Sequence, residues 1–139
     1  ELCLDLLQHP KLRLLFFGDT VGASVVGEIC RALPPEKVLN FAGKTTLREL
    51  MSLLQCCQLL ITNDSGPMHI ASALKVPLIA LFGSTNPVVT GPYNGGEVLY
   101  EQVECSPCFR RVCPIDFRCM RSIHPKEVYQ KASALLHLD

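Results

Sequence analysis

An apolar run that ends in a small polar turn and then resumes as a second apolar run constrains the fold of this chain most. Residues 59–61 predict a buried strand, residues 62–66 form the turn, and residues 70–74 predict a helix. In α/β proteins such a strand–turn–helix unit binds phosphates, because the helix N-terminus presents unpaired N–H groups and the positive end of its dipole. The pattern therefore favours an α/β fold with an anion site at this turn.

The turn itself reads Asp64-Ser65-Gly66-Pro67, and His69 follows two residues later. Gly66 would let the backbone approach a ligand closely, and Pro67 suits the first helical position. With Gly66 as N-cap, His69 takes the third helical position and leans toward the same anion, while Asp64 and Ser65 supply partners on the rim. The alternative is a well-capped helix with a satisfied histidine and no ligand.

Apolar runs and capping signals alternate along the rest of the chain. They predict strands at 12–17, 38–42, 58–62 and 77–82, an edge strand at 98–103, and helices at 1–9, 21–33, 46–57, 67–75 and 125–136. Thr46 and Glu49 have the spacing of a capping box at one of these helix starts. The short connections predict a Rossmann-like parallel sheet with helices on both faces, in one domain over residues 1–139.

Two further turns follow predicted strands at the same edge of this sheet. Residues 83–86, which include Thr85, follow the strand at 77–82, so this turn and the one at Asp64 would form a crevice. Gly43-Lys44-Thr45 invites a P-loop interpretation, but that motif needs glycine at position 38, where this chain has valine. The Lys44 turn can still line a ligand, because it follows a strand.

Charge and hydropathy narrow the classes of function. The formal net charge is zero, which gives no electrostatic footprint for nucleic acid. The sequence contains no run of about 18 apolar residues, so no membrane-spanning helix is predicted. Residues 1–17 lack a basic start followed by an apolar core and a cleavage site, so no signal peptide is expected.

Four of the eight cysteines cluster in a Cys-rich excursion at residues 105–119, namely Cys105, Cys108, Cys113 and Cys119. Four thiolates could hold a structural zinc ion, and the first pair has knuckle spacing, although the second pair is too widely spaced for another knuckle. Packed reduced thiols and disulfides are the alternatives. The basic residues around them, Arg110, Arg111, Arg118, Arg121 and Lys126, form either a solvated face or a patch for an anionic acceptor or a membrane surface.

The motifs of residues 60–74, 77–87 and 90–93 together resemble those of family 9 glycosyltransferases, the ADP-heptose:lipopolysaccharide heptosyltransferases. Residues 42–50 fit as well, and the Cys-rich stretch 105–120 is similar to the heptosyltransferase II branch. The resemblance implies a GT-B enzyme, of which this chain would be the C-terminal, donor-binding half. The catalytic base and a phosphate-binding lysine would belong to parts outside this chain, so the chain alone is expected to be inactive.

The resemblance also implies roles for individual residues. Ser65, Gly66 and His69 would bind the donor diphosphate, and Asp64 would face the sugar. Lys44, Thr45 and Thr46 would lie against adenine, Asp19 would contact the ribose, and Thr85 would line the same donor site.

The implied reaction is inverting transfer of heptose from ADP-heptose to the inner core of lipopolysaccharide, with no cofactor required, in the cytoplasm at the inner face of the inner membrane. Peripheral contact with that membrane would follow. The alternatives are a non-catalytic nucleotide- or zinc-binding module, and a transferase that uses another nucleotide sugar or a protein acceptor.

Overall fold

The computed structural model describes residues 1–138, and the chain divides into two compact units, Glu1–Leu53 and Leu54–Asp139. Helices and strands alternate along both. Besides one 3-10 turn at Pro35–Lys37, the elements in chain order are α1 (Leu2–Leu6), β1 (Leu14–Phe16), α2 (Ala23–Arg31), β2 (Val38–Asn40), α3 (Leu47–Gln55), β3 (Leu60–Asn63), α4 (Gly66–Ala73), β4 (Leu78–Phe82), α5 (Pro87–Thr90), β5 (Glu97–Tyr100), α6 (Arg118–Arg121) and α7 (Pro125–Leu136).

The first unit is built on two parallel strands. β1 pairs with β2 in the register Leu14↔Val38, and α2 packs against β2. The turn after β1 is fixed by Asp19, whose Oδ1 accepts a hydrogen bond of 2.8 Å from the backbone N–H of Gly22. The turn after β2 lies against it, because the N–H of Gly43 donates to the carbonyl of Gly18 (2.9 Å).

The predicted capping box at the start of α3 is present. The backbone N–H of Thr46 donates to Glu49 Oε2 (2.7 Å), and the N–H of Glu49 donates to Thr46 Oγ1 (3.3 Å). These two bonds satisfy two amide groups that a helix start otherwise leaves without partners. Two hydrogen bonds lower the pKa of the Glu49 carboxyl. The bond from the Thr46 N–H has the larger effect, and the bond from the Thr46 hydroxyl has the smaller one.

The second unit is built on a three-stranded parallel sheet in the order β3-β4-β5. α4 packs against β3 and β4, while α6 and α7 pack against β4. Leu78, Ala80 and Phe82 alternate along β4 and form one buried cluster with Met68 and Ala71 of α4. Ile79 points to the other face and is also fully buried. Burial of both faces explains why this strand is apolar without alternation.

The last helix, α7, is present where the sequence predicts it, and it packs against β4 of the second unit. α7 begins at Pro125 and buries Val128 and Ala132, which lie four residues apart on one helical face. Its Lys131 forms an exposed ion pair of 2.8 Å with Glu97 of β5. Hydrogen bonding to Glu97 raises the pKa of Lys131.

The α/β class and the parallel pairing are confirmed, and each predicted strand is found, shorter by one to three residues. The strands form two hydrogen-bonded ladders rather than one continuous ladder. Two short helices, α5 and α6, were not predicted. The assignment of residues 1–139 to one domain stays a prediction. Among residues 1–138, no helix combines the length and the apolar character that crossing a membrane requires.

Candidate functional site

The turn between β3 and α4 leaves the start of the helix without a side-chain cap. Ser65 is the N-cap residue, yet its hydroxyl donates to the carbonyl of Asn63 (3.1 Å) and is hydrogen-bonded to the hydroxyl of Thr62 (3.2 Å). A Cβ placed on Gly66 would meet no protein atom within 4 Å, so the space beside this backbone is open. Pro67 has no N–H, and the N–H of Met68 donates to the carbonyl of Ser65 (3.1 Å). The N–H of Gly66 is therefore the amide at this helix start that can receive an anion.

The position of His69 differs by one residue from the prediction. The helix is capped by Ser65 rather than Gly66, which makes Pro67 the second helical residue and His69 the fourth. Serine and glycine are both common N-caps, so the sequence alone did not separate them. His69 therefore lies four residues after the N-cap rather than three, on the same helical face as Ser65. Its Cα–Cβ bond is tilted toward the helix N-terminus. Its side chain is exposed.

A second polar turn follows β4 and is tied to the first. Asn86 caps α5, since its Oδ1 accepts from the N–H of Val88 (2.9 Å). Thr90 ends α5 and donates from Oγ1 to Asp64 Oδ2, a distance of 2.8 Å across 26 residues. The predicted crevice residues therefore lie after adjacent strands of one sheet: Asp64, Ser65, Gly66 and His69 in the turn and first helical residues after β3, and Thr85 in the turn after β4.

Thr90 contacts a predicted site residue, and the sequence interpretation did not include it among the candidate site residues. Its hydroxyl also reaches the carbonyl of Asn86 (3.2 Å), so α5 holds it in one orientation against the Asp64 carboxylate. The pair Asn86-Pro87 is a helix-start signal and could have revealed α5. No sequence signal indicates a contact between residues 64 and 90.

The other predicted donor residues lie in the first unit. Asp19 uses Oδ1 in the turn described above, and Lys44 Nζ donates to the carbonyl of Asn40 (3.0 Å). Lys44 and Thr45 line a surface cavity of about 420 Å³, together with Phe41, Arg48 and Ser52. The Phe41 ring is stacked on Phe17, with centroids 5.9 Å apart. Thr46 is engaged in the capping box. The roles of these residues stay predictions.

The zinc interpretation of the Cys-rich excursion finds no support in the geometry. Within residues 1–138, no group of three or more His, Cys, Asp or Glu side chains is arranged to hold a metal ion. Cys105, Cys108, Cys113 and Cys119 are all free thiols. Cys119 is buried in α6, whereas the other three are partly exposed. The wide and unequal spacing of the last two cysteines explains why the four do not gather around one point.

Cys113 has an environment that favours its thiolate. The backbone N–H groups of Ile115 and Phe117 point at its sulfur and lower the pKa of this thiol. The Phe117 N–H lies 3.3 Å from Sγ. Burial instead raises the pKa of Cys3 and Cys57.

The rate of alkylation of each cysteine should follow the change in its pKa, because the thiolate is the nucleophile. We expect iodoacetamide to modify Cys113 before Cys3 and Cys57, with the preference largest near neutral pH and shrinking as pH rises and all thiols ionise. Mass spectrometry of peptides from a time course measures the order. Modification of Cys3 or Cys57 ahead of Cys113 would contradict the expectation.

A second experiment tests the state of the four cysteines at 105–119. If thiol titration counts all eight cysteines of the chain and elemental analysis finds no zinc, these four are reduced packed thiols.

Comparison with known proteins connects this geometry to a family. Residues 4–117 match the sequence model of glycosyltransferase family 9 (heptosyltransferase). Lipooligosaccharide heptosyltransferase 2 of Haemophilus influenzae is 43% identical over 103 residues, which cover 72% of this chain and 30% of that protein. The Campylobacter jejuni protein of the same name is 34% identical over 128 residues, covering 88% of this chain and 40% of that protein.

Solved structures give the same result. The structure of E. coli ADP-heptose lps heptosyltransferase II superposes with a TM-score of 0.79 at 29% identity, over 98% of this chain and 39% of that one. A family 9 glycosyltransferase from Veillonella parvula superposes with a TM-score of 0.76 at 30% identity, over 91% of this chain and 37% of that one. The chain thus spans less than half the length of these relatives.

Proposed function

The chain belongs to glycosyltransferase family 9, and from this premise we propose that it is the donor-binding part of an enzyme that transfers heptose from ADP-heptose to the inner core of lipopolysaccharide. The observation that carries the proposal is the uncapped start of α4 beside the Asp64 carboxylate, which Thr90 holds in place. The names of the relatives supply the sugar and the acceptor.

In this proposal the second unit binds the sugar diphosphate. The N–H of Gly66 and the imidazole of His69 face the phosphates, where helix polarity and hydrogen bonding both favour negative charge. The open space beside Gly66 lets the diphosphate approach the backbone. Asp64 keeps one oxygen for the hydroxyl groups of the sugar, because Thr90 occupies the other.

We assign recognition of the nucleoside to the first unit. The cavity lined by Phe41, Lys44 and Thr45 has an aromatic wall and polar rim groups, which suit a purine base. Asp19 has a second carboxylate oxygen for ribose hydroxyls, since Gly22 engages only Oδ1. These roles follow the family resemblance, and the cavity gives the adenine role a physical setting.

The chemistry asked of these residues is stabilisation of a leaving group. When the bond between the sugar and the diphosphate breaks, negative charge grows on the departing ADP. N–H donors that are already oriented stabilise such charge without reorganisation, and removal of one donor of this kind typically costs 10²–10³ in rate. No metal ion is required for this role. We propose that the enzyme works in the cytoplasm, at the inner face of the inner membrane where its acceptor is made.

An assay of heptose transfer tests the proposal. The protein in its full natural length is incubated with ADP-heptose and a heptose-bearing inner-core acceptor, and ADP release is measured together with the mass of the acceptor. We expect transfer by that protein, and ADP binding but no transfer by the 139 residues alone. ADP binding without turnover by the full-length protein would favour a non-catalytic nucleotide-binding module. Turnover of a different nucleotide sugar, or transfer to a protein acceptor, would show that the protein is a glycosyltransferase with another donor or acceptor.

The role of Thr90 gives a sharper prediction. Thr90→Val removes the hydroxyl that fixes Asp64 but keeps the shape of the side chain. We expect the affinity for ADP-heptose to fall by about 5- to 10-fold, the usual effect of one lost hydrogen bond, while the affinity for ADP stays unchanged. Isothermal titration calorimetry with both ligands measures the difference.

Thr90→Ser is the matched control, since it keeps the hydroxyl and should bind both ligands as the wild type does. Equal weakening of ADP and ADP-heptose in Thr90→Val would show that the residue only supports the fold. A wild-type protein that binds neither ligand would refute the proposed function itself.

A further inference from the structure

A loop rich in arginine and in exposed apolar side chains stands out from the rest of the molecule. We call residues 109–121 the basic loop. It contains four arginines, Arg110, Arg111, Arg118 and Arg121, and one acidic residue, Asp116, so that its formal charge is +3. Because the whole chain sums to zero, the remaining residues carry −3. Such a segregation of charge indicates an anionic partner at this loop.

The same loop exposes large apolar side chains to solvent. Phe109, Val112, Ile115 and Phe117 are 60%, 77%, 56% and 52% exposed. Single exposed apolar residues are ordinary, but four within nine residues form a feature that needs a partner. Arginines interleaved with apolar side chains match a bilayer surface, where anionic headgroups meet hydrocarbon.

The basic loop is anchored at both ends rather than loose. At its start, the N–H of Phe109 donates to the carbonyl of Ser84 (2.7 Å), in the turn after β4. At its end, Cys119 is buried and α6 packs against β4. Met120 fits against Gly83, where an added Cβ would lie 2.7 Å from Met120 Sδ. The exposed part is therefore held beside the turn that contains Thr85.

We propose that the basic loop docks this unit onto a bilayer surface that carries anionic lipids. Arginines bind the headgroups, and the apolar side chains between them enter the interface. Of the arginines, only Arg118 is paired, with the Asp116 carboxylate at 3.1 Å, among the residues that the structure describes. On the proposed function, the anchoring at Ser84 would bring the donor-binding turns close to a membrane-held acceptor.

Vesicle binding by the purified protein in its full natural length tests the proposal. Co-sedimentation is measured with phosphatidylglycerol–phosphatidylcholine vesicles and with phosphatidylcholine vesicles. We expect binding only to the anionic vesicles, weakening as salt is raised. Arg110→Gln combined with Arg111→Gln should reduce the partition coefficient about 25-fold, from roughly fivefold per basic residue near an anionic surface. Val112→Ser combined with Ile115→Ser should reduce it about 10-fold or more.

Two matched controls use exposed residues far along the chain from the basic loop. Lys11→Gln with Lys75→Gln removes two exposed cations, and Val21→Ser with Val25→Ser removes two exposed apolar side chains. Both controls should bind vesicles as the wild type does. The proposal is overturned by absent binding to anionic vesicles, by equal binding to neutral ones, or by equal losses in the controls. ADP affinity measured on the same preparations separates these outcomes from failure of the proposed function.

Discussion

Replacing His69 by alanine is expected to weaken ADP binding about 5- to 150-fold, which corresponds to about 1–3 kcal/mol for a hydrogen bond to a charged group. His69 is exposed and lies one helical turn after Ser65, at the helix start where the N–H of Gly66 has no side-chain cap. An imidazole there can donate a hydrogen bond to the diphosphate, and the alanine variant removes that donor.

His124→Ala is the control for this experiment. His124 is also exposed and also lies near a helix start, but it is the N-cap residue of α7, far from α4 in the sequence, and it makes no side-chain cap. Its removal should leave ADP affinity unchanged. Calorimetric titration of the wild type and the two variants with ADP decides the matter. Equal affinities for the wild type and His69→Ala would make His69 an ordinary residue of the helix surface.

The largest effect on stability is expected at Phe82. Phe82→Ala should lower the free energy of unfolding by about 3–5 kcal/mol, because a fully buried phenyl ring is lost and a cavity remains. Natural domains have only about 5–15 kcal/mol of stability, so this single change could remove a large part of it. Phe82 packs with Met68 and Ala71, so it joins β4, which precedes the second polar turn, to α4, which follows the first.

Urea denaturation followed by circular dichroism measures the loss. Val88→Ala is the control, since Val88 is 93% exposed and its truncation should change stability by less than about 0.5 kcal/mol. Phe82→Leu should fall between them, because most of the apolar volume is kept. A denaturation midpoint for Phe82→Ala equal to that of the control would mean that the core around β4 is not cooperative with the rest of the second unit.

Much of this fold follows from local signals. The strands, the capping box of Thr46 and Glu49, and the start of α7 at Pro125 are all encoded within a few residues, by apolar runs or by cap geometry. The turn at Asp64 was identified for the same reason. Its two neighbouring signals, a strand end and a helix start, are contiguous in the sequence.

The features that the sequence did not predict depend on contacts between residues that are far apart in the chain. The Thr90–Asp64 bond spans 26 residues, and nothing local to Thr90 indicates its partner. The division into two ladders was equally hidden, because apolar runs reveal strands but not which strands pair. The excursion at 105–119 shows the limit of spacing arguments. Cysteine counts suggested zinc, whereas thiol placement in three dimensions decides whether ligands can converge.

The fit of Met120 and Cys119 against Gly83 has a consequence for anyone who exchanges parts between members of this family. A side chain at position 83 would collide with Met120, and its Cβ would lie 3.1 Å from the sulfur of Cys119. Grafting the 105–121 segment of a relative into this chain therefore replaces the side chains that cover Gly83, and a residue larger than glycine at position 83 needs room that Met120 now fills. In a shuffled library, a residue larger than glycine at position 83 should be combined with a smaller residue at position 120, or Met120 must move, although the two positions lie far apart in the sequence.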